Sequence, residues 1–213
     1  MEDVRPRTVT VEADGLTLAG DLAIPEPAIG VVVFAHGSGS SRRSPRNARV
    51  AERLQAEGLG TLLFDLLTDD EAGDRDRVFD IELLARRLEG TVGWLLRQPD
   101  AGHLPIAFFG ASTGAAAALV AAARLGSDVA SVVSRGGRPD LAGDALEAVT
   151  APTLLIVGGA DPQVLELNRL AQGHLRCETR LEIVPGATHL FEEPGALERV
   201  AELAAAWFTD HVG

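Results

Sequence analysis

Pro105-Ile106-Ala107-Phe108-Phe109-Gly110-Ala111-Ser112-Thr113-Gly114-Ala115-Ala116-Ala117 is the stretch from which the architecture unfolds. It begins as an apolar run, Pro105 to Gly110, and continues as an Ala-rich run, Thr113 to Leu125. Between them lies Gly110-Ala111-Ser112-Thr113-Gly114, a G-x-S-x-G sequence. A strand that turns at once into a helix needs small residues on both sides of the reversal. The residue at the apex is then lifted clear of both elements, with a helix N-terminus beside it. A serine hydroxyl held there stands where positive helix-end charge can stabilise a developing oxyanion. The spacing therefore predicts a nucleophile at Ser112.

Outward from this point, strand-like and helix-like segments alternate along the chain. Thr8 to Glu12 and Leu16 to Ile24 read as two strands joined at Asp14-Gly15, a hairpin signal. Gly30 to Phe34 is a continuous β-branched and apolar run, as expected of a strand buried on both faces. Ser44 to Glu57 is helical with Gly58 as its stop, Gly60 to Phe64 is a strand, and Thr68 to Arg77 reads as a charged loop. Asp80 to Arg97 carries Ile81, Leu84, Leu88 and Leu95 on one helical stripe. Strands follow at Val129 to Ser134, Thr153 to Val157 and Thr179 to Val184, with helices at Asp140 to Val149, Pro162 to Gly173 and Gly195 to Val212. Eight strands, the parallel ones linked by helices, predict an α/β fold. The expected sheet is mostly parallel, with an N-terminal antiparallel hairpin and helices on both faces, in one domain spanning residues 1–213. Ligands in such sheets bind at the carboxyl ends of the strands.

Two further strand ends supply partners for Ser112. Gly158-Gly159-Ala160-Asp161-Pro162 follows the seventh strand, and Pro185-Gly186-Ala187-Thr188-His189 follows the eighth. A serine hydroxyl is a poor nucleophile alone. His189 is expected to take its proton, and Asp161 to orient the imidazole and stabilise the imidazolium. Asp161 is also placed to cap the helix that Pro162 begins, and the two roles are compatible. Asp65, after the fourth strand, is a rival acid read here as a structural hydrogen bonder. The third strand ends in His36-Gly37-Ser38-Gly39, a turn able to aim backbone N–H groups at an oxyanion. The expected donors are the N–H groups of Thr113 and Ser38, with that of Gly37 or Gly39 as the alternative to Ser38; Gly37 is also expected close to the substrate, and His36 is expected to fix the loop. Arg135 and Arg138, in the glycine-flanked turn after the sixth strand, either pair with carboxylates to pin the turn or contact an anionic group of the substrate.

Composition removes other classes. The 213 residues are 46% hydrophobic and 23% charged, as in globular proteins. Net charge is −12, with 31 acidic residues against 19 basic ones, all of them arginine. Such a surface repels phosphate backbones and argues against nucleic-acid binding. The absence of lysine excludes a P-loop or Schiff-base lysine. It also weighs, with the absence of tyrosine, against a dehydrogenase reading of the glycine-rich turn. That turn would in any case have to follow the first strand. Cys177 is the single cysteine, so neither an intramolecular disulfide nor a thiolate metal cluster can form. The N-terminal residues lack an apolar signal core, and the longest apolar stretch, Ala115 to Ala123, is too short to span a bilayer. A cytoplasmic protein with no membrane partner, no metal and no organic cofactor is expected.

Four stretches carry a resemblance: Phe34-Ala35-His36-Gly37-Ser38-Gly39-Ser40, Phe109-Gly110-Ala111-Ser112-Thr113-Gly114-Ala115, Ser134-Arg135-Gly136-Gly137-Arg138-Pro139-Asp140 and Pro185-Gly186-Ala187-Thr188-His189-Leu190-Phe191. Together they resemble the α/β-hydrolase superfamily, and within it the small dienelactone-hydrolase-like proteins. The resemblance implies the fold, a hydrolytic triad of Ser112, Asp161 and His189, and cleavage of a small ester, thioester or lactone through an acyl-serine. Dienelactone hydrolases proper use cysteine where this chain has Ser112, so lactone specificity does not carry over. The short connection from Arg135 to Asp140 leaves no room for the large cap often inserted there. Some similar chains are fused to a phosphoribosyltransferase domain, which is not expected within these residues. Acyl transfer to an acceptor other than water, or a catalytically idle binding protein, are the alternative functions.

Overall fold

The computed structural model describes residues 4–212; the outermost ends of the expected 1–213 domain lie outside the described residues. Strands β1 (Arg7–Ala13) and β2 (Leu16–Ala23) form the expected hairpin, turning at Asp14 and Gly15, both with positive φ. The remaining strands are β3 (Gly30–Ala35), β4 (Leu59–Phe64), β5 (Ile106–Ala111), β6 (Val132–Arg135), β7 (Thr153–Gly158) and β8 (Thr179–Val184). The sheet order is β1-β2-β4-β3-β5-β6-β7-β8. β2 runs antiparallel to β4, and β3 to β8 are mutually parallel. Because β4 lies outside β3, the chain reverses its direction of travel across the sheet between β4 and β5. That reversal opens a crevice at the carboxyl ends of β3 and β5.

Burial explains why these segments are strands. β3, β4, β5 and β7 are buried at every residue, because helices cover both faces. One face carries α4 (Ile81–Leu95) and α5 (Thr113–Leu125), and the other α1 (Pro45–Ala56) and α7 (Ala196–His211). Residues Thr113 to Ala122 of α5 are all buried, and its alanines let it lie close against the sheet. α6 (Pro162–His174) covers the β7–β8 end. On the opposite face Phe34 and Phe109, from the two central strands, pack with ring centroids 4.9 Å apart.

Two segments differ from expectation. The charged stretch Thr68 to Arg77 is not a plain loop but two single-turn helices, α2 (Asp69–Ala72) and α3 (Arg75–Val78). Thr68 and Glu71 form a reciprocal capping box, and Asp74 caps α3, so its polar residues satisfy helix ends. Glu71 also bonds the buried Arg87, which in turn faces Asp14 of the hairpin turn. The expected helix at Asp140 to Val149 is instead a chain of 3₁₀ turns over Pro139–Ala148, broken where Gly143 takes a positive φ. Among the described residues, no helix is long and apolar enough to cross a membrane.

The Phe34–Phe109 contact lies near the carboxyl ends of β3 and β5. Phe109→Ala is expected to destabilise the fold by about 3–5 kcal/mol, because the surrounding strands cannot collapse into the space. Urea denaturation followed by tryptophan fluorescence measures it; a loss well under 1 kcal/mol contradicts this account of the core.

Candidate active site

Ser112 stands at the apex between β5 and α5 with φ 50° and ψ −121°, a left-handed conformation that costs energy for any residue but glycine. The turn is possible only because its neighbours lack side chains. A Cβ on Gly110 would lie 2.4 Å from Ala115 Cα, and one on Gly114 2.2 Å from the Ala35 carbonyl oxygen. A Cβ on Gly37 would lie 3.0 Å from Ser112 Cβ, so the loop after β3 runs directly against the apex. The Ser112 N–H donates to the Arg135 carbonyl at 3.4 Å, and its own carbonyl accepts from the N–H groups of Ala115 and Arg138.

Asp161, at the end of β7, uses its two oxygens separately. Oδ1 accepts from the Val164 N–H and caps α6, while Oδ2 pairs with His189 Nδ1 at 2.9 Å. The capping and orienting roles therefore coexist. The loops bearing the two residues are held together by Ala160 N–H donating to the Ala187 carbonyl, and by Gly158, where a Cβ would lie 2.3 Å from that same oxygen. The His189 ring is partly open to solvent, and its Cε1 lies 3.7 Å from the position a Cβ would take on Gly136. Gly136 directly follows Arg135, whose carbonyl holds Ser112. The turn after β6 thus links Ser112 to the His189 imidazole. Among the described residues no hydrogen bond joins Ser112 to His189, whose Nδ1 is paired with Asp161.

The loop after β3 is secured at three points. His36 Nε2 accepts from the Leu66 N–H at 3.0 Å, so the ring proton must be on Nδ1, which donates to the Gly37 carbonyl at 3.1 Å. Arg42 takes both Asp65 oxygens, through its backbone N–H and Nη1, which commits Asp65 to structure rather than to His189. Asn47, in the first turn of α1, accepts from Arg135 Nη2 at 3.0 Å. Arg135 is buried and meets this neutral amide rather than a carboxylate. Burial, with the like charge of Arg46 nearby, brings its guanidinium down to about 10, still protonated at neutral pH. Arg138 pairs with both oxygens of Asp140. Both arginines expected to hold the turn or the substrate are engaged within the protein, and Asn47, which the sequence did not single out, is the partner of one.

A cavity of about 620 Å³ opens beside loop 36–43, walled by Asp65 to Leu67 at the end of β4 and roofed by Asp69, Ala72 and Val78 of α2 and α3. Cys177 bonds Thr153 and Thr179, which begin β7 and β8, and so lies at the far end of the sheet. Among the described residues no cluster of His, Cys, Asp or Glu could hold a metal ion.

Comparison with known proteins bears on the family and the fold. The profile of the alpha/beta hydrolase domain family matches residues 28–206. A dienelactone hydrolase structure from Anabaena variabilis is 55% identical, covers 99% of each chain and superposes with a TM-score of 0.96. Est1E from Butyrivibrio proteoclasticus, at 17% identity over 95% of this chain and 98% of its own, shares the fold with a TM-score of 0.81. Two Mycobacterium tuberculosis proteins, whose names assign them provisionally to the phosphoribosyl transferases, are 61% identical over 209 residues. Those residues are 98% of this chain but 47% of theirs, so the chain spans about half the length of the curated relatives it matches.

Burial lowers the pKa of His36, against opposing pulls from its bond to Gly37 and from the Asp65 carboxylate. The unfolded chain therefore binds this proton more readily than the native one. The neutral ring's contribution is complete above the unfolded value of about 6.5 and is lost as pH falls below it. Wild type is expected to lose more stability than His36→Asn between about pH 7.5 and 5.5 in urea titrations. Equal losses would show that His36 does not tie the loop to β4.

Proposed function

This chain belongs to the alpha/beta hydrolase domain family and is a hydrolase-type enzyme; from that premise we propose that it cleaves a small carboxylic ester, thioester or lactone through an acyl-serine. The observation that carries the reading is the Asp161–His189 pair, joined at 2.9 Å, with the strained Ser112 apex one turn away across Gly136. Asp161 on Nδ1 leaves Nε2 as the free nitrogen of His189 and makes it a base.

In the first half-reaction Ser112 Oγ bonds to the substrate carbonyl carbon while its proton passes to His189 Nε2. The carbonyl electron pair moves onto oxygen, facing the Thr113 N–H and the loop from Gly37 to Gly39. Collapse restores the carbonyl and expels the alcohol or thiol, which leaves with the proton from His189. Water then repeats the sequence on the acyl-serine and releases the acid. Asp161 stays ionised throughout and stabilises the imidazolium. The cavity beside loop 36–43 is the proposed berth for one side of the ester. No metal is required by this chemistry. The site is proposed to take a small molecule rather than a nucleic acid, since net charge −12 opposes one. We assign the phosphoribosyl transferase name of the longer relatives to the part beyond the matched 209 residues, because the matched part is accounted for by the hydrolase domain.

A fluorophosphonate probe is expected to label Ser112, and Ser112→Ala to lose both labelling and about 10⁴-fold or more in ester turnover with unchanged melting. Asp161→Asn is expected to cost a similar factor through the wrong imidazole tautomer. An Ser112→Ala enzyme that still turns over a panel of short-chain p-nitrophenyl esters at the normal rate overturns the assignment.

A further inference from the structure

The Ser38 N–H, expected at the oxyanion, is already engaged: it donates to Thr113 Oγ1 at 3.0 Å. Thr113 directly follows Ser112, begins α5 and is buried. A hydroxyl has one proton to give and two lone pairs to offer. The bond from Ser38 occupies a lone pair and leaves the proton unassigned. Elsewhere in this molecule helical threonines dispose of that proton on the carbonyl four residues back, as Thr91 does on Arg87 and Thr209 on Ala205. Thr113 has no such acceptor, because the residue four positions earlier, Phe109, lies in β5. Its buried hydroxyl proton therefore sits beside the nucleophile with no acceptor among the described residues.

We propose that the Thr113 hydroxyl is itself an oxyanion donor, so that this residue supplies two of the hydrogen bonds, one from its backbone and one from its side chain. The inference rests on the serine-hydrolase reading given above. Ser38 then acts through Thr113: by donating into Oγ1 it polarises the O–H bond and fixes its direction. As the Ser112 Oγ–carbon bond forms and the carbonyl pair moves onto oxygen, the Thr113 proton hydrogen-bonds to that oxygen and stays on Thr113. The transferred proton is the one from Ser112, which goes to His189. A chain with valine here would keep the shape and the backbone N–H and lose only this bond.

Thr113→Val, Thr113→Ser and Thr113→Cys test it, each checked by its melting curve. Two rates are read: labelling of Ser112 by a fluorophosphonate, whose phosphoryl oxygen enters the oxyanion site, and turnover of p-nitrophenyl acetate. Removing one oxyanion donor elsewhere costs about 10²–10³ in kcat, so Thr113→Val is expected to fall about 100-fold in both rates with KM nearly unchanged. Thr113→Ser is expected within about threefold of wild type, and Thr113→Cys, a weak donor of similar size, close to valine. Should the valine variant not fold, the cysteine variant decides. Valine and cysteine variants as fast as wild type, or faster, overturn the proposal: the hydroxyl then merely holds a Ser38 N–H that serves the oxyanion once released. A serine variant as slow as valine also overturns it, since packing rather than the hydroxyl is then at work. If wild type is not labelled at Ser112 at all, the hydrolase reading fails and the inference with it; a labelled wild type with an undiminished valine variant removes the inference alone.

Discussion

Everything in the site depends on two stretches of backbone lying closer than side chains allow. The end of β3 and the β5–α5 turn meet where Gly114 faces the Ala35 and His36 carbonyls, at distances of 2.2 and 2.5 Å from where a Cβ would be. Gly37 meets Ser112 in the same way. The contact sets the height of α5 over the sheet, the direction of the Ser112 hydroxyl and the path of the following loop at once. A methyl group at Gly114 could not be absorbed by one rotamer, because backbone stands on the other side. The strain of Ser112 at φ 50° is held by the same contact together with the bonds its peptide makes to Arg135, Ala115 and Arg138.

Charge is used to hold loops rather than to fill the surface evenly. The chain has 31 carboxylates and 19 guanidiniums, and the buried or half-buried arginines lie where segments must be tied. Arg42 binds Asp65 and so fixes the middle of loop 36–44; Arg87 ties α2 to the hairpin turn through Glu71 and Asp14. Arg135 is the exception that explains the rule. It sits against Arg46 and the first turn of α1, and its acceptor is the amide of Asn47. A buried guanidinium with an amide partner stays protonated, at a desolvation cost the fold must offset elsewhere. In exchange the loop is anchored at its start by His36, in its middle by Arg42 and at its end by Asn47, all independently of the substrate.

The sheet was legible because its strands are fully buried runs of Val, Ile, Leu and Phe with glycine or proline between them. The candidate site was legible as three short motifs that fall at strand ends. The α2–α3 segment was not, since seven charged residues between Asp69 and Arg77 look like solvated loop until Thr68-x-x-Glu71 is read as a capping box. Nor were the partners of Asn47 or of the Thr113 hydroxyl. Both depend on contacts between residues 75 to 88 positions apart, and no local pattern encodes which side chain a distant loop will meet. Arg135 and Arg138 illustrate the same limit: two arginines expected in one turn, of which Arg138 meets a nearby carboxylate while Arg135, the last residue of β6, meets the first turn of α1.

Under the proposed reaction, the arrangement separates the parts that do chemistry from the parts that choose what is bound. Ser112, Asp161 and His189 rest on β5, β7 and the loop after β8, braced by glycine contacts that tolerate little change. The cavity on the other side of loop 36–43 is roofed by Asp69, Ala72 and Val78 of α2 and α3, two helices that bury none of their own residues. Their attachment runs through a few polar contacts, chiefly Glu71 with Arg87, and through Val78, which packs half-buried against the core. A surface segment held in this way accepts substitution with little effect on the sheet. It can therefore reshape the cavity while the distances among Ser112, Asp161 and His189 stay fixed, so that under the proposed reaction acyl groups of different size are accommodated without rebuilding the Ser112 turn.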